Sequence, residues 1–135
     1  MESRFISDVQ ISASSQYNGH HAAVQGRLHY KTRGVKQGGW SARVNNRSQW
    51  LQVDLGAEIS VGGIATQGRN QNFEQWVTAY KLEYSNDEIS FLPYKDPGSS
   101  ADKVKLWLDS HFLSRLEKTV REENKILLTT FKQNK

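Results

Sequence analysis

Cysteine is absent from the 135 residues, which excludes disulfides and thiolate metal sites within them. No apolar run approaches the ~20 residues that a bilayer-spanning helix requires. The opening residues, Met1 to Gln10, lack the cationic and apolar regions of an export signal. A dense Lys/Arg run with interleaved aromatics is also missing, which argues against nucleic acid as a partner. The serines lie in strand-like and turn-like contexts without a nucleophile elbow, and no two carboxylates are placed for acid–base work. The sequence therefore does not read as an enzyme, and no catalytic residue is assigned. Glycine and proline do not occur after Gly98.

What is present is an ordinary globular composition, 24% charged and 10% aromatic, in a chain long enough for one domain with a core. Its organising stretch is Trp40 to Gly56, WSARVNNRSQWLQVDLG. Leu51, Val53 and Leu55 alternate with Gln52 and Asp54, the period of a strand with one buried and one wet face, and Gly56 is expected to stop it. Trp40 and Trp50 are expected to clamp the polar run between them onto the sheet. Tyr80, Leu82 and Tyr84 share one face of a second strand, and these aromatics and aliphatics form the predicted core. Phe5 to Ser14 reads as a short strand with Ile6, Val9, Ile11 and Ala13 supplying apolar contacts. Pro93 inside a short strand places that strand at an edge.

Charge is distributed unevenly. Residues 1–50 carry seven Lys/Arg against two Asp/Glu, whereas residues 51–104 carry four against eight. The basic half also holds the longest irregular segments, which fits an anionic partner.

Several runs together resemble one family. Ile11-Ser12-Ala13-Ser14-Ser15-Gln16-Tyr17, Trp40, Gln49 to Gly56, Thr66-Gln67-Gly68, Val77 to Asn86 and Tyr94 to Gly98 are similar, in order, to the discoidin domain, also called the coagulation factor 5/8 type C domain. The resemblance covers residues 1–104. It implies an all-β, galactose-binding-like jelly-roll β-sandwich with three loops projecting from one end. It also implies an extracellular or cell-surface adhesion module that binds anionic phospholipid headgroups, glycan or protein. The disulfide that usually joins the ends of such domains has no counterpart here. The family commonly has Gly where Glu88 stands, which implies a turn after Ser85 that is either strained or of another type.

Three loops follow from this reading. Gln16 to His21 is turn chemistry, with Asn18-Gly19 able to take positive φ. Tyr17, Asn18, His20 and His21 are its candidate ligand-binding residues. Adjacent histidines can bind metal, but no Asp, Glu or Cys stands at a spacing that completes a site, so none is assigned. Lys31, Thr32, Arg33 and Lys36 form a second, basic loop suited to phosphate, sulfate or carboxylate groups. Arg69, Asn70, Asn72 and Phe73 form a third, with polar groups that can read a sugar or peptide end and an apolar tip. Asn45 stands where family members that bind peptide C-termini carry an acidic residue. Calcium, implied by some family members, would rely on Glu74 and backbone carbonyls. Asn46-Arg47-Ser48 is an N-glycosylation sequon.

After Gly98 the pattern changes. Leu106, Leu113, Val120 and Leu127 recur every seven residues, which predicts an amphipathic helix somewhere within residues 102–131. The family's closing strands are not matched there. The sequence thus reads as a truncated discoidin domain, residues 1–104, joined to an unrelated helical tail, residues 105–135. Missing strands would leave open sheet edges, which the tail would have to cover. The leading expectation is a three-loop binding module. The rivals are a lectin-like carbohydrate binder and a non-binding remnant that self-associates through its tail.

Overall fold

The computed structural model describes residues 6–61, 64–69, 75–95, 98–101, 104–106, 114–115 and 120–133. Among them the regular structure is β-strand and short 3-10 turns, with no α-helix. The strands are β1 (Ile11–Ala13), β2 (Gln49–Val61), β3 (Ala65–Thr66), β4 (Val77–Ser85), β5 (Leu92–Pro93), β6 (Val104–Leu106), β7 (Ser114–Arg115) and β8 (Val120–Gln133). The main sheet runs β1-β2-β8-β4-β5, with β6 also paired to β4, and β3 and β7 form a small second sheet.

The period of two in β2 produces the core. Antiparallel pairing sets Ile11 opposite Val53 and Ala13 opposite Leu51. Leu51 and Val53 are buried on one face, while Gln52 and Asp54 are half-exposed on the other. Burial of each aliphatic side chain contributes about 1.5–3 kcal/mol. Ile11, Ala23 and Leu51 pack with Ile6, Ala13 and Trp40, and Leu82 and Tyr94 pack with Leu55, Val61, Ile64 and Tyr84. Tyr80 and Leu82 are buried as expected. Trp50 is not: it is half-exposed, because it shares the outward register of Gln52 and Asp54. Trp40 is also only half-buried, yet it does clamp a loop, its Nε1–H donating to the Ser15 carbonyl at 2.9 Å.

Other local expectations change. The first strand is only β1, since residues Asp8–Gln10 form a 3-10 turn that leaves Val9 92% exposed. Gly56 does not end β2. It takes φ +75° and donates its N–H to Asp54 Oδ1 at 2.8 Å, making an irregularity that β2 passes through. Asn18 and Gly19 avoid positive φ, and Asn18 instead caps a 3-10 turn. Glu88, where the family commonly has Gly, does take positive φ, at +65°. Asp87 Oδ1 supports that turn by accepting the N–H groups of Ile89 and Ser90. Pro93 lies in β5, which ends the sheet order.

The largest correction concerns the tail. The amphipathic helix expected within residues 102–131 is not formed at the described positions, which are strands β6, β7 and β8. β8 lies between β2 and β4, with Leu128 opposite both Leu51 and Leu82. Tertiary pairing overrides the sevenfold leucine pattern: β2 and β4 each present a long unpaired edge, and a segment that carries Val120, Ile126, Thr129, Thr130 and Phe131 satisfies both ladders. The edges of β2 and β4 that a truncation would leave open are thus paired along β8.

Candidate functional site

Strand register brings the loops to one end. β1 leaves the sheet at Ala13, opposite Leu51; β2 enters at Gln49, opposite Thr130; β4 enters at Val77, opposite Gln133. The segments 14–21, 40–48, 67–69 and 75–76 therefore emerge together.

The first loop is organised by Asn18. Its Oδ1 accepts the N–H of His20 at 2.9 Å and lies 2.9 Å from His21 Nδ1, which donates in the matching neutral tautomer. Tyr17, 58% exposed, meets the His21 ring edge-on with centroids 5.5 Å apart. Burial, then Arg69, then His20 lower the His21 pKa from its ordinary value. His20 is exposed and His21 half-buried.

The second loop is a two-residue hairpin. Arg33 and Lys36 exchange backbone hydrogen bonds at 3.0 and 3.1 Å around Gly34, whose φ of +57° suits glycine. Its tip is Val35, 65% exposed, between exposed Arg33 and Lys36. Lys31 is exposed nearby in sequence, and Thr32 is half-buried.

In the third loop Arg69 is tied down. Its backbone N–H donates to the Gln75 carbonyl at 2.8 Å and Nη1 to Gln75 Oε1 at 2.6 Å, while Nη2 donates to Gln37 Oε1. Asn70, Asn72, Phe73 and Glu74 lie outside the described residues.

Gln37 joins all three loops. Its N–H donates to the His20 carbonyl at 2.9 Å, its Nε2 to the Val35 carbonyl at 3.3 Å, and its Oε1 accepts from Arg69. A fourth segment borders them: Tyr17 N–H donates to the Ser41 carbonyl at 2.8 Å and Arg43 N–H to Ser15 Oγ at 3.1 Å. This segment exposes Arg43, Val44, Asn45, Asn46 and Arg47.

Sequence reasoning named the histidines, the basic hairpin and Arg69, which the fold brings together. It missed Gln37 and Val35. A lone Gln and a lone Val in a Gly-rich loop carry no pattern; only their contacts and exposure reveal them. Glu74, the carboxylate on which a calcium ion would rely, lies outside the described residues, and among the described residues no cluster of three His, Cys, Asp or Glu occurs.

A strand sandwich with convergent loops at one end defines a class of binding domains. Residues 10–116 match the F5/8 type C domain, and the chain belongs to that family. The match runs past residue 104. Bovine lactadherin is 40% identical over 103 residues, covering 73% of this chain and 24% of lactadherin. The human EGF-like repeat and discoidin I-like domain-containing protein 3 is 41% identical over 108 residues, 77% of this chain and 22% of that protein. The chain thus spans about a quarter of the length of these relatives. In structure it is similar to wild-type discoidin II from Dictyostelium discoideum, with TM-score 0.79, 21% identity, and coverage of 92% of this chain and 49% of that one. It is also similar to CpGH89CBM32-5 from Clostridium perfringens in complex with GalNAc-β-1,3-galactose, with TM-score 0.66, 17% identity, and coverage of 90% and 83%. These likenesses give a discoidin, galactose-binding-like β-fold.

Proposed function

We propose that this chain is a non-enzymatic binding module whose loop end engages an anionic phospholipid surface at the cell exterior, with residues 120–133 serving as its closing strand. The observation that carries the reading is the hairpin tip, where exposed Val35 stands between exposed Arg33 and Lys36. An apolar tip flanked by cations suits a bilayer interface: Val35 and Tyr17 enter the headgroup boundary while Lys31, Arg33 and Lys36 meet lipid phosphates and carboxylates. Each cation near such a surface contributes about 1 kcal/mol. His20, His21, Asn18 and Thr32 shape the rim.

Glycan binding is the second reading, favoured by the likeness to a module in complex with GalNAc-β-1,3-galactose. The arrangement of Arg69 counts against it: the guanidinium that would read sugar hydroxyls is engaged with Gln37 and Gln75. The deciding experiment is vesicle co-sedimentation. Binding to phosphatidylserine vesicles should fall steeply from low to physiological salt, because exposed charges are screened. Lys31→Glu with Arg33→Glu should abolish it at unchanged melting temperature. Binding that persists in salt and yields only to free galactosides would establish the lectin instead.

A further inference from the structure

We propose that Asn46 carries an N-linked glycan on the exported chain, and that this glycan and membrane contact through the loop end exclude one another. The proposal rests on the membrane reading above and on passage through the secretory route.

Three observations lead to it. Asn46-Arg47-Ser48 is a complete acceptor sequon, and all three residues are exposed. The acceptor is also held in place. Asn46 Oδ1 accepts the Ser48 N–H at 3.0 Å and Gln49 Nε2–H at 2.8 Å. Gln49 is itself 6% exposed, and its Oε1 accepts the hydroxyls of Ser14 and Ser15 at the base of the first loop. Both bonds to Asn46 end on the amide oxygen. Glycosylation takes the amide nitrogen, so the glycan costs neither of them.

The third observation is position. Asn46 follows Val44, 51% exposed, and lies between Arg43 and Arg47, in the segment hydrogen-bonded to the first loop. A sugar leaving this point stands among the tips that would meet the bilayer. In the transfer step a bond forms between Asn46 Nδ2 and C1 of the first sugar of a lipid-linked oligosaccharide. The C1–O bond to the lipid pyrophosphate breaks, the pyrophosphate leaves with its electron pair, and the amide nitrogen loses a proton. The attached chain is longer than the ~8 Å over which surface charge acts at physiological salt. It would hold Lys31, Arg33 and Lys36 beyond the reach of the lipid field and keep Val35 out of the interface.

The test uses the full chain behind a cleavable secretion signal in cultured animal cells, as wild type, Ser48→Ala and Ser48→Thr. Ser48→Ala removes the sequon and keeps the Asn46 side chain; Ser48→Thr keeps the sequon. Mass spectrometry should find glycan on the Asn46 peptide of the wild type and Ser48→Thr, and none on Ser48→Ala. Vesicles with roughly one phosphatidylserine per four phosphatidylcholine should bind Ser48→Ala about tenfold or more tightly than the occupied forms, a size set by losing the lipid field at several cations. Enzymatic removal of the glycan should raise the binding of the wild type to that of Ser48→Ala. An empty Asn46, or an occupied one that binds as well as Ser48→Ala, overturns the proposal. If Ser48→Ala and the deglycosylated chain both ignore the vesicles, the membrane reading itself fails, and the masking falls with it.

Discussion

Gln37 and Arg69 are joined side chain to side chain, the Gln37 Oε1 accepting from Arg69 Nη2, and this bond ties the second loop to the third. Gln37 also reaches the first loop through the His20 carbonyl. A polar side chain in a Gly-rich segment thus fixes the relative placement of the groups proposed to meet ligand.

Breaking that bond should affect binding more than folding. Gln37→Ala removes hydrogen bonds to Arg69 and Val35, each worth about 1 kcal/mol in a partly buried setting. Chemical denaturation should show a loss of about 1–2 kcal/mol, while vesicle binding falls severalfold because the second and third loops lose the bond that ties them together. Gln37→Glu should restore the link as a charged pair.

His21 should titrate below its ordinary value of 6.5, because burial, then Arg69, then His20 disfavour its cation. The folded state therefore binds fewer protons than the unfolded chain near pH 6, and stability rises with pH there. The contribution is fully present above the unfolded pKa and is lost as pH falls through the folded one. NMR titration of the imidazole gives the midpoint. Arg69→Gln should raise it only in part, since burial is the larger cause.

Leu51 and Trp50 are adjacent in β2 but face opposite ways. Leu51→Ala should cost about 2–5 kcal/mol, as buried leucines do. Trp50, half-exposed, should cost less on replacement by Ala, about 1–2 kcal/mol. Paired urea denaturation curves decide the order, and a Trp50 loss exceeding that of Leu51 would contradict the register described here.

Removal of residues 120–135 should abolish cooperative unfolding and disperse the near-ultraviolet circular dichroism. β8 pairs with both β2 and β4, so its loss opens two ladders at once. A helical tail would instead leave the sheet intact, and the far-ultraviolet spectrum of the full chain should carry no strong helical minimum.

Much of this protein was legible along the chain. Alternation from Leu51 to Leu55 set the inward face of β2, and the ordered runs from Ile11 to Gly98 pointed to the discoidin fold and to loops 16–21, 31–39 and 69–75. Local chemistry suffices for these, because a period of two fixes which side chains share a face, and Asn, Gly and basic residues mark loops wherever they fall. What tertiary structure decided were matters of partnership. Residues 120–133 read as a helix in isolation, since leucines seven apart satisfy that period; only the paired edges of β2 and β4 make them a strand. Trp50 is large enough for a core, but its register turns it outward. Gln37 gains its role from His20, Val35 and Arg69, far apart in sequence, and the exposure of Val35 follows from a hairpin that lifts it clear of any neighbour that could bury it.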